Sequence, residues 1–266
     1  MLAWNAQLYS RFEDERTRPA AELLARVALP SDTAYVVDLG CGPGNSTELL
    51  AQRFVHARVL GIDQSQDMLA AARQRLAHVH VHVHFEQGDI AHWQAPLHNG
   101  RLPDLIFANA ALQWVPDHAQ LLPRLMGMLA PGGVLAVQMP DNRDEPTHRL
   151  MREVAALQPW AAEIGDPHAL RTDLLALNDY YDVLARDAQV DAWRTAYQHP
   201  MDSAEAIVQW VRGTGLRPFL QPLSAELQTS FVAEYTRRID AAYALRSDGR
   251  RLLAFPRLFL VARRPI

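Results

Sequence analysis

Three glycines at alternate positions follow a short apolar segment in the first fifth of the chain. Val36–Leu39 contains the acidic residue Asp38 and leads into Gly40, Gly42 and Gly44. Glycine has no Cβ, so a loop built in this way admits a ligand close to the backbone and tolerates positive φ. An apolar strand that ends in such a loop and continues into a helix is typical of sites for nucleotide-like ligands. We therefore expect the first strand and helix to hold such a ligand.

The spacing of the glycines and the charges around them narrow the ligand class. In a dinucleotide site the third glycine would come one residue later, and Asp38 would repel a pyrophosphate but attract a cation. The next predicted strand, Val59–Ile62, ends at Asp63, which lies 23 residues after Gly40 and offers a carboxylate to both ribose hydroxyls. An adenosine with a positive centre suits both acids, and we predict S-adenosylmethionine. The alternative is a plain glycine-rich turn in an unrelated α/β protein.

Polar residues also follow the third and fourth predicted strands. Asp89, with the backbone of Ile90, is placed to read the amino edge of an adenine, and the loop after the fourth strand contains Asn109 and Trp114. Ligands of open α/β sheets bind at the carboxyl ends of the strands. We therefore assign these residues to the cofactor site, together with two residues that closely follow Asp63, namely Gln64 and Met68.

The composition is typical of a globular chain that acts on a small substrate. Its 266 residues, 49% of them hydrophobic, can bury a sizeable core. The net charge is −4 with acidic and basic residues interspersed, which argues against a nucleic-acid partner. Cys41 is the single cysteine, so no internal disulfide framework is possible, and we interpret it as a small residue in a tight turn rather than a nucleophile.

The hydropathy pattern contains no candidate membrane segment. No 18 uncharged apolar residues run together, and Met1–Asn5 does not resemble the start of a signal peptide. We therefore expect a cytoplasmic protein without a membrane partner. The sequence leaves the oligomeric state open.

Strand and helix patterns alternate from residue 33 to residue 139, which predicts a doubly wound, mostly parallel α/β sheet. Two later strand patterns cover 189–199 and 252–263, on either side of a helical stretch at 202–247. They add an antiparallel edge, so the predicted Rossmann-like sheet has seven strands and a helical insertion. We interpret the chain as one domain with three parts: an N-terminal helical cap at 1–30, a cofactor-binding core at 31–143, and substrate-cover helices with the late strand pair at 144–266.

Local patterns make narrower predictions about the helices. Helical spacing covers residues 4–28. Asn45–Glu48 resembles a helix N-cap followed by an acid, and Ser65 is predicted to cap the next helix. Residues 144–186 are predicted to be helical apart from a loop near Pro159–Pro167.

Histidine alternates with valine just before the third strand ends. His78, His80, His82 and His84 share one face of a predicted strand that runs to Phe85. Histidines two residues apart on a strand can chelate a metal, but no Cys, Asp or Glu lies among them to complete a tetrahedral set. We interpret the face as solvated and predict no metal cofactor.

The expected chemistry makes few demands on catalytic side chains. Transfer of a methyl group from a cationic sulfur is a direct displacement, for which alignment of the partners supplies roughly 7 to 11 kcal/mol. A carboxylate acceptor, with a pKa of about 4, is ionised at neutral pH and needs no general base. We therefore assign no certain catalytic residue beyond positioning. His148, at the start of a predicted helix, is the candidate base, with a capping or surface role as the alternative.

Two arginines stand in segments that suit recognition of a carboxylate. Arg217 precedes Pro218 in a turn, and Arg257 interrupts an aromatic strand. A guanidinium held by a constrained backbone beside apolar residues binds a carboxylate through two parallel hydrogen bonds. For each arginine the alternative is a surface side chain lying over apolar neighbours. Tyr9 and Gln113 complete the predicted acceptor site with His148.

Seven segments together resemble the bacterial trans-aconitate 2-methyltransferases, a family within the class I S-adenosylmethionine-dependent methyltransferases. The glycine loop alone is similar to the whole superfamily, and the later segments carry the narrower resemblance, which extends nearly end to end. The segments are Asp38–Thr47, Gly61–Asp63, Asn109 with Gln113 and Trp114, Gln138–Asn142, Glu145–His148, Gly215–Pro218 and Phe255–Phe259.

This resemblance implies a class I methyltransferase fold and a cytoplasmic enzyme that moves a methyl group from S-adenosylmethionine to one carboxylate of trans-aconitate. The products would be a monomethyl ester and S-adenosylhomocysteine. It implies that Asp38 and the three glycines line the methionine end, Asp63 the ribose, Asp89 and Ile90 the adenine, and Asn109 the far side of the cofactor. It also favours the arginine hypothesis, since a tricarboxylate needs cationic partners.

Other functions stay open on the residues alone. The acceptor can be another small carboxylic acid or a carrier-bound malonyl group. A nicotinamide-dependent oxidoreductase and a catalytically silent cofactor-binding or assembly protein are the alternatives from other classes.

Overall fold

The computed structural model describes residues 13–30, 32–77, 82–170 and 173–266. The strands are β1 (Tyr35–Leu39), β2 (Arg58–Asp63), β3 (Val83–Gln87), β4 (Leu105–Asn109), β5 (Val134–Pro140), β6 (Gln189–Met201) and β7 (Arg251–Arg263). The helices are α1 (Glu13–Arg26), α2 (Asn45–Arg53), α3 (Gln66–Leu76), α4 (His118–Gly127), α5 (Pro146–Ala155), α6 (Trp160–Ile164), α7 (Leu177–Leu184), α8 (Ala204–Arg212), α9 (Arg217–Leu220) and α10 (Ala225–Ala242).

The central strands are mostly apolar and are buried along nearly their whole length. All five residues of β1 are buried, as are the first four of β4 and the first six of β5. Strands covered on both faces lose the usual alternation of apolar and polar residues, since either face meets a layer of the protein. Continuous apolar runs therefore build the parallel centre of the sheet.

The sheet has the strand order β3-β2-β1-β4-β5-β7-β6. The pairs β3 with β2, β2 with β1, β1 with β4 and β4 with β5 are parallel. The predicted seven-stranded, mostly parallel sheet with one antiparallel edge is confirmed. The chain leaves β1 towards β3 and then returns to β4 on the other side of β1. Such a reversal opens a crevice at the carboxyl ends of the two central strands.

The described residues form two compact units. The first combines those up to Pro140 with Asp173–Arg194 and Leu258–Ile266, and the second combines those of Asp141–Thr172 with Thr195–Arg257. The three-part division predicted from the sequence, at 1–30, 31–143 and 144–266, stays a prediction.

The second unit has a helical core of its own. Helix α10 packs against α5 and α8, and Phe231, Tyr235 and Ile239 are the buried residues of α10. The indole nitrogen of Trp160, at the start of α6, donates a hydrogen bond to the carbonyl of Leu227 at 3.1 Å. A short helix therefore lies at 160–164, where the sequence predicted a loop, because its tryptophan is anchored to a distant helix.

Two predictions about helix starts had different outcomes. The cap at Ser65 is confirmed, because its side chain accepts from the backbone nitrogen of Met68. The cap at Asn45–Glu48 is wrong: Gly44, with φ of 94°, precedes α2 and no side chain caps it. The hydroxyls of Ser46 and Thr47 instead bond to Asp38.

The alternating histidines lie partly within the described residues. Strand β3 begins at Val83, with His84 exposed and with Val83 and Phe85 half-buried, which confirms the solvated face for His84. His82 is exposed in the turn before the strand. His78, His80, Tyr9 and the first part of the predicted N-terminal helix lie outside the described residues.

Of the helices that the structure describes, none is both long and apolar enough to cross a membrane.

Tyr180 provides a test of how α7 is held against α4 within the first unit. Its hydroxyl lies 2.5 Å from His118 Nδ1 and accepts from the backbone nitrogen of Leu175 at 3.3 Å. Tyr180→Phe leaves both groups without this partner, so we expect the free energy of unfolding to fall by about 1 to 3 kcal/mol in urea denaturation. The neighbouring Tyr181 is 49% exposed, and Tyr181→Phe is the matched control. Equal effects of the two substitutions would contradict the buried hydrogen-bond network.

Candidate cofactor and acceptor sites

A cleft of about 310 Å³ lies in the first unit, where β1, β2, β3 and β4 end. Eight of the residues assigned to the cofactor line it, namely Gly40, Gly42, Asp63, Gln64, Met68, Asp89, Ile90 and Trp114. Asp38, Gly44 and Asn109 do not line it. Their direct contacts with a cofactor stay predictions, as do the roles of the lining residues.

Each of the three loop positions is glycine for a different physical reason. A Cβ on Gly40 would lie 2.3 Å from the Cβ of Ala111, so the loops after β1 and β4 approach too closely for any side chain. A Cβ on Gly42 would meet nothing within 4 Å, although its φ of 54° still favours glycine. Gly44 packs against Ala72 in α3. Only Gly42 therefore leaves open space of the kind that a ligand requires.

Asp63 ties the glycine loop to the end of β2. Its Oδ2 accepts from the backbone nitrogen of Gly42 at 3.0 Å, and its Oδ1 accepts from that of Ser65 at 2.8 Å. Each carboxylate oxygen keeps a second lone pair. Asp63 lines the cleft and is half-buried. It can therefore hold the loop in shape while accepting further hydrogen bonds from a ligand.

Asp38 is a fully buried carboxylate behind the same loop. Its Oδ2 accepts from Ser46 Oγ at 2.8 Å and from Thr47 Oγ1 at 2.6 Å. Its Oδ1 is buried and has no hydrogen-bond partner in the part of the chain that the structure describes. Burial raises the pKa of Asp38 to about 6, against the opposing effect of the two hydroxyl bonds. A cationic ligand group would satisfy this oxygen and favour its ionised form.

The loop that carries Asp89 and Ile90 is pinned by a distant arginine. Arg124, in α4, donates to the carbonyls of Trp93 at 2.5 Å, Ile90 at 2.7 Å and Ala91 at 2.9 Å. Asp89 itself accepts from the backbone nitrogen of Ala91. Its side-chain hydrogen bond with His92 lowers the pKa of Asp89, which is exposed and ionised at neutral pH.

Arg124 had no local signal in the sequence, because it lies about thirty residues from the carbonyls that it holds.

The segment after β4 is held by Gln113. This residue, 4% exposed, donates from Nε2 to the carbonyl of Ala110 at 2.7 Å, and Ala110 has a φ of 53°. Gln113 therefore fixes the cleft wall, whereas its predicted contact with the acceptor stays a prediction. Asn109 precedes this turn, and its Oδ1 is buried without a hydrogen-bond partner among the described residues.

Sequence reasoning missed several cleft residues. They are Pro43, Ser65, Gly88, Ala110, Ala111 and Val115. Ser65, Gly88, Ala110 and Ala111 lie within two residues of the end of a strand, and that position alone was a signal that they would reach the site. Their small or apolar side chains offered no chemistry to draw attention to them.

The second unit contains His148 in a buried polar cluster. His148 Nδ1 lies 3.1 Å from Thr147 Oγ1, and a Cβ on Gly215 would lie 2.7 Å from His148 Nε2. Tyr235 donates to the carbonyl of Thr147 at 2.9 Å, and the hydroxyl of Tyr243 accepts from its backbone nitrogen at 3.3 Å. Two tyrosines therefore position the turn that carries His148, beside the glycine that comes two residues before Arg217.

The two predicted acceptor arginines differ in burial. Arg257 is 4% exposed, and its guanidinium carbon lies 4.9 Å from the ring centre of Phe255 and 5.9 Å from that of Tyr197. Arg217 is half-buried and begins α9. For Arg257 the alternative of a surface side chain is wrong, because the residue is almost fully buried.

The described residues contain no group of three or more His, Cys, Asp or Glu side chains placed to hold a metal ion.

Comparisons with known sequences found a family model that matches part of the chain and relatives that match nearly all of it. A family model described as a methyltransferase domain matches residues 36–133. The chain is 65% identical to a protein of Variovorax paradoxus and 60% identical to one of Delftia acidovorans, with 99% of each chain covered. A protein of Yersinia pseudotuberculosis is 54% identical, with 98% of each chain covered. All three relatives carry the name Trans-aconitate 2-methyltransferase.

Comparisons with solved structures show the same fold at low sequence identity. The YcgJ protein from Bacillus subtilis has a TM-score of 0.59 and 14% identity, covering 94% of this chain and 99% of that one. Phosphoethanolamine N-methyltransferase 2 of Haemonchus contortus, in complex with S-adenosyl-L-methionine, has a TM-score of 0.55 and 16% identity, covering 94% of this chain and 53% of that one.

The burial of Asp38 predicts a stability change that depends on pH. The folded-state pKa of about 6 lies above the ordinary value of 3.8, so ionisation costs the folded state progressively as the pH rises through this window. Asparagine still accepts from Ser46 and Thr47 but stays neutral. We expect Asp38→Asn to raise the free energy of unfolding by up to about 3 kcal/mol above pH 7. Near pH 4 the free energy of unfolding should change little.

Thermal unfolding across this pH range measures the difference. The exposed carboxylate of Asp187 supplies the control, Asp187→Asn. A stabilisation by Asp38→Asn that fails to grow with pH would show that the buried charge is not its cause.

Proposed function

Because the chain belongs to the trans-aconitate 2-methyltransferase family, we propose that it transfers a methyl group from S-adenosylmethionine to one carboxylate of trans-aconitate. The products are a monomethyl ester and S-adenosylhomocysteine. The observation that carries this proposal is 65% identity to a relative of that name over 99% of both chains. Low-identity structures share only the fold, so the acceptor rests on the close relatives.

The cleft of the first unit suits this cofactor. S-adenosylmethionine occupies an enzyme of the same fold in the Haemonchus contortus structure. Here Asp63 would hold the ribose, Asp89 and Ile90 the adenine, and Asp38 with the glycine loop the methionine end. The buried Asp38 Oδ1, without a hydrogen-bond partner in the described chain, suits the positive charge of the cofactor.

Other residues of the cofactor assignment play supporting roles in this proposal. Trp114, Gln64 and Met68 supply cleft surface. Asn109, half-buried at the end of β4, offers a buried acceptor oxygen.

The chemistry asks the protein for binding and orientation rather than for a base. When bound, S-adenosylmethionine supplies a methyl group on a positively charged sulfur. A carboxylate is ionised at neutral pH, so the acceptor reaches the site ready to react and no residue of the chain has to remove a proton. Effective alignment of such partners accounts for a large part of the rate in reactions of this kind. His148 then serves acceptor binding rather than proton transfer.

Arg257 and Arg217 are the proposed partners of the acceptor carboxylates. Arg257 lies over Phe255 and Tyr197, away from bulk water. A guanidinium in such surroundings binds a carboxylate with two directed hydrogen bonds, and the low local dielectric strengthens both. Gly215, two residues before Arg217, lies against His148, and Arg217 would hold a second carboxylate. A cytoplasmic location and the absence of nucleic-acid partners stay predictions, and the oligomeric state stays open.

Incubation with methyl-labelled S-adenosylmethionine tests the proposed reaction. We expect a labelled, base-labile ester with trans-aconitate and much less with citrate, isocitrate or a malonyl carrier. Faster labelling of the malonyl carrier than of trans-aconitate would show that the carrier-bound malonyl group is the acceptor. Absence of any ester, with S-adenosylhomocysteine still bound in calorimetry, would show a silent cofactor-binding protein. Binding of NAD in place of both would identify an oxidoreductase.

Replacing the arginines separates acceptor binding from cofactor binding. Arg217→Lys or Arg257→Lys keeps the charge but loses the two-point contact, so we expect the KM for trans-aconitate to rise about tenfold or more. The affinity for S-adenosylhomocysteine should change little. Arg212→Lys, at an exposed position of α8, is the matched control. Unchanged KM in both variants would remove these arginines from the acceptor site.

A further inference from the structure

A second cavity lies in the first unit at the amino ends of β1 and β2, the opposite end of these strands from the cofactor cleft. Its volume is about 450 Å³. Four histidines and two arginines line it: His56, His82, His84, His98, Arg58 and Arg101. Imidazole and guanidinium groups both carry N–H groups that donate hydrogen bonds, and the arginines are permanently charged. The function proposed above uses none of these residues.

A tight turn places two of these side chains next to each other. His98 and Arg101 exchange two backbone hydrogen bonds, both of 3.0 Å, across the turn formed by Asn99 and Gly100. The φ values of the two turn residues are 51° and 74°. Asn-Gly is the pair that such turns favour, since both central positions need positive φ. The local sequence thereby fixes His98 and Arg101 on the same side of the cavity.

Arg58 adds positive charge at the centre of this group. Its Nη1 lies 3.4 Å from His98 Nδ1. The guanidinium reaches the carboxylate of Glu86 only at 3.9 Å, and Glu86 is 53% exposed. Arg101 likewise lies 3.9 Å from Asp104 Oδ1. Long, partly solvated ion pairs of this kind are weak, so an incoming anion can compete for both guanidinium groups.

The hydroxyl of Tyr35 is an independent sign of a ligand. Tyr35 lines the cavity and is 1% exposed, and its hydroxyl has no hydrogen-bond partner within the described ranges. Buried hydroxyl groups nearly always have a partner. Burial raises the pKa of Tyr35 to about 12, with a smaller opposing effect of Arg58. The group therefore stays protonated and is available to donate a hydrogen bond to an anion.

The same cavity is unsuited to a metal ion. Two guanidinium groups repel a cation, and no three of the described His, Cys, Asp and Glu side chains are placed to hold one. We propose that this cavity binds a small, multiply charged phosphate compound through Arg58, Arg101 and Tyr35, with the four histidines supplying further N–H donors. This proposal does not depend on the methyltransferase function.

Calorimetric titration of the full chain with inorganic pyrophosphate, in a phosphate-free buffer near neutral pH, tests the proposal. We expect saturable binding of one equivalent. Arg58→Gln and Arg101→Gln should each weaken it about tenfold, because each removes a two-point donor. Tyr35→Phe should weaken it about threefold without lowering the melting temperature, since it removes a buried hydroxyl that has no partner.

The control is Arg18→Gln, which removes a guanidinium that pairs with Glu22 on α1. The side chain of Arg101 is 63% exposed, so we expect the Arg101→Gln variant to fold. This variant therefore keeps the test decisive if Arg58→Gln fails to fold. A parallel titration with a nucleoside diphosphate shows whether a nucleotide or the free phosphate is the better ligand, and either result supports the site.

Several outcomes would overturn the proposal. They are the absence of saturable pyrophosphate binding, equal affinity in the arginine variants and the control, tighter binding of Zn²⁺ than of pyrophosphate, and competition by S-adenosylhomocysteine. The last would place the anion in the cofactor cleft. Failure of S-adenosylhomocysteine to bind at all would count against the proposed function and leave the pyrophosphate result standing.

Discussion

The hydrogen bonds from Ser46 and Thr47 to the buried carboxylate of Asp38 are the contacts on which the shape of the glycine loop depends. They join the end of β1 to the first turn of α2, so both ends of the glycine loop are held. Asp63 adds a third attachment at Gly42. The loop then follows a path on which Gly40 lies against Ala111, so the loops after β1 and β4 meet beside the cleft. A buried charge weakens the fold, and here it is kept where a cationic ligand would be bound.

The two units carry opposite chemistry. The first presents carboxylates and backbone groups at the ends of its strands, which suits a cofactor with a positive sulfur and neutral adenosine. The second buries Arg257 among aromatic rings and holds His148 through Thr147, which suits an anionic acceptor. An acceptor oxygen that is ionised in solution would need position and charge complementarity rather than proton transfer, so His148, the predicted candidate base, would serve to bind the acceptor.

The parts of the fold that were predicted correctly depend on residues close together in the sequence. Continuous apolar runs marked β1, β4 and β5, and the cap at Ser65 follows from its own hydroxyl. The incorrect predictions involve long-range competition. Asn45–Glu48 was predicted to start α2 as a capping segment, but Gly44 precedes the helix, and a buried carboxylate eight and nine positions earlier takes the hydroxyls of Ser46 and Thr47. The segment after Pro159 looks like a loop, yet Trp160 reaches Leu227 in another helix and a short helix forms.

The sequence by itself determined the sheet and placed eight of the fourteen residues that line the cleft, because parallel strands bring their carboxyl ends together and local spacing states which residues follow each strand. Only the tertiary structure decided which side chains hold those residues in place. Arg124 supports the loop of Ile90, Tyr235 and Tyr243 support Thr147, and a turn at Asn99 brings His98 near Arg58. The reason is geometric: a long side chain reaches an acceptor far away in sequence only after the backbone has brought the two together.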